Sequence, residues 1–258
     1  MTAPDAASAH SLTGLTAVVT GGRQGIGAAI ARALLRHGAR VFVCGRSREG
    51  VAATVDAFRH EGLTSAHGFA GDLGEAEVRQ ELLRECGRAD ILVNNAGGFL
   101  EPTRALDTTL AEWEDQIRLN LTLPFLVCRD LLPPMVDNGW GRILNIGTVA
   151  ATAPQLGNSA AYVAAKSGLV GFTRQLASEV AHLGVTANVI NPGTILTEHL
   201  VDYLDSSGQR EEVLAARIPV GRLGRAAEIG DLVPALVSRS AGFLTGAVID
   251  VNGAAVSS

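Results

Sequence analysis

The sequence of 258 residues is poor in charge and contains a single lysine, Lys166. Only 18% of its residues are charged, the net charge is −5, and no cluster of Lys and Arg stands out. This composition argues against a nucleic-acid partner. No run of 18 apolar residues occurs, so no membrane-spanning helix is expected. The six His show no metal-ligand spacing, so no metal site is predicted.

Cysteine is also scarce. Cys44, Cys86 and Cys128 are 42 residues apart, which is neither a metal-binding nor a redox spacing, and three are too few for a disulfide scaffold. A reducing compartment, the cytoplasm, is therefore expected. Residues 1–11 have no basic segment and no apolar stretch, so they are predicted to be a disordered N-terminal tail rather than a signal peptide.

Apolar residues make up 47% of the chain, which is typical of a globular protein. Short apolar runs alternate with helical segments. Strands are predicted at 15–20, 39–44, 66–70, 90–94, 142–148, 185–190 and 246–251. Helices are predicted at 25–36, 47–60, 73–86, 108–136, 159–183 and 225–238. The long helix over 108–136 is expected to be strained near Pro124 and to end at Pro133 and Pro134.

The near-continuous apolar character of the strands, each followed by a helix, predicts a parallel sheet that is covered on both faces. Right-handed crossovers make this a doubly wound α/β sheet. Because no linker divides the chain, residues 12–258 are predicted to form a single domain.

The first predicted strand runs directly into the segment TGGRQGIG, which opens the first helix. Glycines in such a turn allow backbone N–H groups to approach a pyrophosphate, and a helix N-terminus favours an anion. The candidate phosphate-binding residues are Gly21, Arg23, Gln24, Gly25, Ile26 and Gly27. The alternative is a glycine-rich turn that binds no ligand.

Four motifs in order resemble those of the short-chain dehydrogenase/reductase family. TGGRQGIG is similar to the TGxxxGxG signature, and the others are NNAG at 94–97, YVAAK at 162–166 and NPG at 191–193. The resemblance extends from about Leu12 to Asn252 and is towards ketoacyl and carbonyl reductases. It implies a Rossmann fold and hydride transfer between a nicotinamide cofactor and a carbonyl or secondary alcohol substrate.

The end of the second predicted strand bears on the choice of cofactor. An acidic residue at this place favours NAD(H), whereas an Arg accommodates the 2′-phosphate of NADP(H). Here Gly45 stands in place of the acid and Arg46 follows, so NADP(H) is predicted over NAD(H), with Arg23 as a second cation. The alternative is that Arg46 is a solvated surface residue. Gln24 departs from many NADP-using relatives, which carry a basic residue there.

The resemblance implies further cofactor contacts. They fall to Ser47, Asp72, Leu73, Asn95, Ala96, Gly97, Tyr162, Lys166, Pro192, Gly193, Ile195 and Thr197. Two of these have simpler alternatives. Asp72 is also a good helix N-cap, and the Asn95 amide is equally suited to bond neighbouring backbone.

Tyr162 and Lys166 are four residues apart in a helical stretch, so they share a face. An ammonium near a phenol is expected to lower its pKa and so make Tyr162 a general acid and base. The resemblance places Thr148 at the position of the family's Ser, with one extra residue before Tyr162. Thr152 and Ser159 are alternative donors. It also implies that Asn120 holds a water in a proton relay, although a purely structural Asn is the alternative.

Residues 197–219 are predicted to form a lid over the substrate, unless they are ordinary surface helices. His199, Leu200, Tyr203, Leu204 and Leu214 are candidates to line it, and residues 98–102 and 149–156 to form the other walls. A homotetramer, or else a homodimer, is implied by the resemblance. A non-catalytic nucleotide-binding protein and a dehydratase or epimerase are the rival functions.

Overall fold

A computed structural model of the chain describes residues 10–98, 103–153 and 158–256. Seven strands form one parallel sheet in the order β3-β2-β1-β4-β5-β6-β9, and β7 pairs with β8 in parallel. The strands are β1 Thr16–Thr20, β2 Arg40–Gly45, β3 Ala66–Ala70, β4 Ile91–Asn94, β5 Gly141–Ile146, β6 Val185–Pro192, β7 Ile195–Leu196, β8 Gly224–Arg225 and β9 Val248–Val251. The predicted doubly wound α/β sheet is confirmed.

The helices cover both faces of this sheet. They are α1 Gly25–Arg36, α2 Arg48–His60, α3 Ala76–Cys86, α4 Leu110–Ile117, α5 Leu123–Asp137, α6 Ala160–Val180, α7 Glu198–Ser207, α8 Glu211–Ala215, α9 Ala226–Gly230 and α10 Val233–Leu236. Residues of α1, α2, α9 and α10 pack in one core, and residues of α3, α5 and α6 pack in the other. Successive strand residues alternate between the two cores, because Ala17 and Val19 enter the first and Val18 enters the second.

The strand order reverses beside β1, which lies between β2 and β4. Loops leaving the carboxyl ends of β1 and β4 therefore turn to opposite faces, and a crevice opens between them. Because all seven strands are parallel, the loops that carry the motifs meet at this one edge of the sheet.

The region of α4 and α5 differs from the prediction. A π-helical turn at Arg118–Thr122 separates the two helices just before Pro124, and α5 continues through Pro133 and Pro134 to Asp137. The predicted end at the prolines is wrong. Both prolines lie towards the outer side of α5, while Val127, Cys128, Leu131 and Met135 are buried beneath it, and this burial outweighs the lost backbone hydrogen bonds.

The predicted helix over 225–238 is also revised. It is two short helices, α9 and α10, and Pro234 lies in the first turn of α10, where a missing N–H costs nothing. Likewise β5 ends at Ile146, so Thr148 lies beyond the strand in which it was predicted.

A chain of buried hydrogen bonds connects β4, β5 and α6. Asn94 Nδ2 donates to Asn145 Oδ1 at 2.8 Å, and Asn145 Nδ2 donates to Thr173 Oγ1 at 2.8 Å. Thr173 Oγ1 in turn donates to Leu169 O at 2.6 Å. These side chains are almost completely buried, so they bind to one another and tie α6 to the sheet.

Parts of several predicted segments lie outside the described residues. These are residues 1–9 of the tail, 99–102 of one predicted wall and 154–156 of the other. The predicted lid contains α7 and α8. Among the helices described above, none is long and apolar enough to cross a membrane. The described ranges also contain no group of three His, Cys, Asp or Glu side chains arranged to hold a metal ion.

Candidate active site

The loop between β1 and α1 is shaped by its glycines. Gly21 and Gly25 have φ of 62° and 54°, a left-handed conformation that favours glycine. A Cβ on Gly27 would lie 2.3 Å from the Gly21 carbonyl oxygen, so no larger residue fits there. Gln24 precedes the helix but makes no capping hydrogen bond with its side chain, and the first turn has no acidic residue. This bare helix N-terminus is suited to a phosphate.

The loop forms one end of a cleft of about 1080 Å³ at the carboxyl edge of the sheet. Every residue predicted to bind the cofactor lines this cleft. They are Gly21, Arg23, Gln24, Gly25, Ile26, Gly27, Arg46, Ser47, Asp72, Leu73, Asn95, Ala96, Gly97, Tyr162, Lys166, Pro192, Gly193, Ile195 and Thr197. Thr148 lines it as well. The cleft is large enough for a dinucleotide and a small substrate together.

At the end formed by β2, the cleft is lined by Arg23, Gly45, Arg46 and Ser47. Both arginine side chains are exposed. Ser47 caps α2, because its Oγ accepts a hydrogen bond from the Gly50 N–H at 3.0 Å. This end of the cleft therefore carries two cations where the second strand ends, which suits a phosphate monoester.

The structural alternatives to cofactor binding have different outcomes for Asp72 and Asn95. The Asp72 carboxylate accepts a hydrogen bond from the Gly74 N–H at 2.8 Å, and α3 begins only after Glu75, so the interpretation of Asp72 as a helix N-cap is wrong. Asn95 Nδ2 donates to the carbonyl oxygens of Thr20 and Gly21 at 3.1 and 3.0 Å. The Asn95 side chain thus fixes the glycine loop to the end of β4.

Beyond β6, the NPG segment closes the cleft from the opposite side. Gly193 passes close to the C-terminal segment, since its Cβ would lie 2.8 Å from Asn252 Cα. Thr197 caps α7 by accepting a hydrogen bond from the Leu200 N–H at 3.3 Å. This cap sets the start of α7 directly beside the glycine loop, where Thr197 Cγ2 would be 3.3 Å from a Cβ on Gly25.

Tyr162 and Lys166 lie in the first two turns of α6, as predicted. Lys166 is only 4% exposed, and its Nζ donates to the Ile146 carbonyl oxygen at 2.7 Å. The same Nζ is 6.0 Å from the centre of the Tyr162 ring. Burial lowers the pKa of Lys166 to about 8, because a desolvated ammonium is disfavoured.

The expected lowering of the Tyr162 pKa by the ammonium is not found. Burial raises this pKa above the usual value for a phenol, and a hydrogen bond from the Thr148 side chain opposes the rise. Tyr162 is therefore protonated at neutral pH and is poised as an acid. Of the three candidate hydroxyls, Thr148 lines the cleft and hydrogen-bonds Tyr162, whereas Thr152 and Ser159 do not line the cleft.

Among the four residues predicted to be catalytic, Asn120 alone does not line the cleft, because it is completely buried in the π-helical turn. Its Oδ1 accepts from the Gly98 N–H at 3.0 Å. Its Nδ2 donates to Gly98 O at 3.1 Å and to Gln116 Oε1 at 2.8 Å. A Cβ on Gly97 would lie 2.7 Å from Asn120 Oδ1 and 3.5 Å from Lys166 Nζ, so the three groups meet behind the reaction centre.

Sequence reasoning missed one wall of the cleft. It is formed by the end of α4, the π-helical turn and the start of α5, through Asp115, Arg118, Leu119, Thr122, Leu123 and Leu126. Their spacing of three or four residues is the only signal in the sequence, and it does not show which helix face is inward. From the lid, Glu198 and His199 line the cleft, whereas Leu200, Tyr203, Leu204 and Leu214 do not.

The chain is similar to known proteins over nearly its whole length. A family model described as short chain dehydrogenase matches residues 15–207. The 3-oxoacyl-[acyl-carrier-protein] reductase FabG of Escherichia coli is 38% identical over 240 residues, which cover 93% of this chain and 96% of the relative.

Solved structures are similar to this chain over almost its whole length as well. The Pseudomonas aeruginosa RhlG/NADP active-site complex has a TM-score of 0.87 at 33% identity and covers 96% of this chain and 98% of its own. A 3-oxoacyl-[acyl-carrier protein] reductase with bound NAD from Brucella melitensis has a TM-score of 0.86 at 30% identity, with 98% and 96% covered. The chain therefore belongs to the short-chain dehydrogenase/reductase family of oxidoreductases.

Proposed function

We propose that this protein is an NADP(H)-dependent reductase of a carbonyl substrate, or the corresponding dehydrogenase of a secondary alcohol. The observation that carries the proposal is the hydrogen bond between Thr148 and Tyr162 in the cleft, one helical turn from the buried Lys166. The nicotinamide supplies a hydride to the carbonyl carbon when it is bound. The residues of the chain supply the proton and hold the substrate.

Tyr162 is the proton donor in this proposal. Because burial keeps its hydroxyl protonated, it can donate a proton to the alkoxide that develops on the substrate oxygen. Thr148 holds the same oxygen through its hydroxyl. The Asn120 backbone carbonyl holds a water beside the Lys166 ammonium in this proposal, and this water passes a proton from solvent to Lys166 and on to Tyr162.

Arg46 is proposed to bind the 2′-phosphate of NADP(H), with Arg23 beside it. The absence of an acid at Gly45 supports this choice. The relatives are of both kinds, since RhlG is a complex with NADP and the Brucella reductase holds NAD. The substitution Arg46→Ala should weaken NADPH binding about 10- to 100-fold and leave NADH binding nearly unchanged. Equal weakening of both would refute the phosphate contact.

The E. coli relative is named as a reductase of 3-oxoacyl groups carried by an acyl-carrier protein. Thioesters of 3-oxoacyl groups are therefore the first substrate class to test. Reduction of acetoacetyl-coenzyme A would be measured through the decrease in NADPH absorbance. Tyr162→Phe should lower kcat by about a thousandfold while NADPH binding is retained. Tyr203→Phe is the matched control, because Tyr203 is the only other tyrosine and does not line the cleft.

Substantial activity in Tyr162→Phe would contradict the acid role. Turnover without net consumption of NADPH would instead favour the dehydratase or epimerase alternative. Redox-silent binding of NADPH across a broad panel of carbonyl compounds would favour a non-catalytic nucleotide-binding protein.

We further propose a homotetramer, or else a homodimer, in the cytoplasm. Large apolar side chains are exposed on and beside α4 and α5, among them Leu106, Leu110 and Phe125, and the edge strand β9 is only half-buried; both need cover. The cysteines support the cytoplasm, because all three are free and buried. Burial raises the pKa of the Cys128 thiol to about 12. Sedimentation of the purified chain would test the assembly, and a monomer would contradict it.

A further inference from the structure

The side chain of Arg23 lies against a position on α2 that has no side chain. A Cβ on Gly50 would be 2.4 Å from Arg23 Cδ and 3.2 Å from Arg23 Nε. Carbon atoms pack at about 3.5–4.0 Å, so Arg23 occupies the space that any larger residue at position 50 would need. Gly45 borders the same side chain, since its Cβ would lie 3.9 Å from Arg23 Cβ.

The backbone of Gly50 gives no separate reason for a glycine. Gly50 does not adopt a left-handed conformation, and it lies within α2, where glycine is less favourable than alanine. The missing Cβ itself is therefore the feature that matters at this position.

The backbone on the other side of the contact is fixed. Thr54 Oγ1 donates to Arg23 O at 2.8 Å, which ties the glycine loop to α2. The Gly22 N–H donates to Cys44 O at 3.1 Å, which ties it to β2. Because the loop is held on both sides, a Cβ at position 50 would displace the flexible Arg23 side chain and not the loop.

We propose that Gly50 is a specificity-determining positioning residue, which holds the Arg23 guanidinium beside Arg46 and so selects NADP(H) over NAD(H). The inference rests on the proposed function, in which Arg46 binds the 2′-phosphate. NAD(H) lacks that phosphate, so its binding does not depend on where the Arg23 guanidinium lies.

The test compares Gly50→Ala with the wild-type chain. Dissociation constants for NADPH and NADH are measured by nicotinamide fluorescence at one salt concentration. Gly50→Ala should weaken NADPH about tenfold, the loss of one charge-assisted contact, and should leave NADH unchanged. Arg23→Ala should give the same loss, and the double variant should lose nothing more, because both changes remove one interaction.

Gly171→Ala is the matched control. Gly171 also lies in a helix, α6, and apart from its chain neighbours and the adjacent backbone of that helix no described atom comes within 4 Å of its ideal Cβ. Both cofactors should bind this variant as they bind the wild type.

The outcomes separate this inference from the proposed function. A wild type that prefers NADPH and a Gly50→Ala variant with the same preference would contradict the inference alone. A wild type that binds both cofactors equally would contradict both. Equal loss of both cofactors in Gly50→Ala would also contradict the inference, because the loop itself would then have moved. A Cβ at position 50 would also lie 3.3 Å from Ser47 Oγ. If this second contact caused the loss, the losses of Gly50→Ala and Arg23→Ala would add in the double variant. Additive losses would likewise contradict the inference.

If Gly50→Ala does not fold, the double variant with Arg23→Ala decides. Recovery of folding, with a melting temperature above that of Arg23→Ala alone, would identify the Arg23 side chain as the obstacle and support the inference. Without that side chain, the only remaining effect of Gly50→Ala is the gain in helix propensity. Failure to recover would contradict it.

Discussion

The lone lysine of this chain allows its pKa to be measured directly. Lys166 is only 4% exposed and donates to the Ile146 carbonyl oxygen, and it forms no ion pair with any residue in the described ranges. Burial lowers its pKa from 10.5 to about 8. In protein labelled with ¹⁵N-lysine, the side-chain signal of one residue reports the titration without overlap. A midpoint near 8 is expected.

The same burial has a consequence for stability. The unfolded chain binds the proton at about 10.5 and the folded chain at about 8, so between these values the unfolded state binds more protons and stability rises with pH. The free energy of unfolding should increase by about 2 kcal/mol between pH 7 and pH 9.5 through this one group. Above the unfolded pKa, the group contributes nothing.

Lys166→Met is the reference for this measurement. Urea unfolding of both proteins at pH 7 and 9.5, at equal protein concentration, gives the difference that belongs to Lys166, since all other titrating groups cancel. The Met variant should lack the rise and should lose turnover. A lysine signal that titrates near 10.5, together with equal pH dependence of the two proteins, would refute the argument.

Three further predictions concern the site and its supports. Thr148→Val should lower kcat about a hundredfold and raise the pKa of Tyr162 further, seen by absorbance titration at alkaline pH; Thr148→Ser should restore both, and an unchanged kcat would contradict the role. Asp130→Asn should cost about 3 kcal/mol in urea unfolding at pH 7, because the carboxylate pairs with the buried Arg79 at 2.6 Å. Burial opposes ionisation of Asp130, but hydrogen bonds from two arginines lower its pKa below 3.8, so this difference should vanish only as the pH falls through that lower value; its persistence in stronger acid would contradict the pairing. Gly27→Ala places a Cβ 2.3 Å from a carbonyl oxygen of the loop and should weaken NADPH binding about a hundredfold with circular dichroism unchanged; retained binding would show that the loop adapts.

The parts of the fold that depend on local pattern could be predicted from the sequence. The helix over Gly25–Arg36 and the strand over Ala66–Ala70 have the predicted bounds, because glycine punctuation and apolar runs are local signals. The continuation of α5 through Pro133 and Pro134 could not be predicted, since it depends on the side chains buried beneath that helix.

The site shows the same division. The position of most predicted cofactor residues at the cleft could be predicted, because they follow strands whose carboxyl ends lie at one edge of the sheet. The wall that includes Asp115 and Arg118 could not, because it depends on how α4 packs. The predicted direction of the Tyr162 pKa shift was wrong for a related reason. The depth of burial, which raises this pKa, is a property of the whole fold and not of a spacing of four residues.

The buried chain of hydrogen bonds from Asn94 through Asn145 to Thr173 sets how freely this protein can change. A rotation of α6 by one residue would leave these groups unpaired in the core, at about 1–3 kcal/mol for each. This hydrogen-bond chain therefore fixes the position of α6, which carries Tyr162 and Lys166, relative to the sheet, independently of the loops that line the cleft. A library aimed at new substrates can therefore diversify those loops while Asn94, Asn145 and Thr173 are held constant.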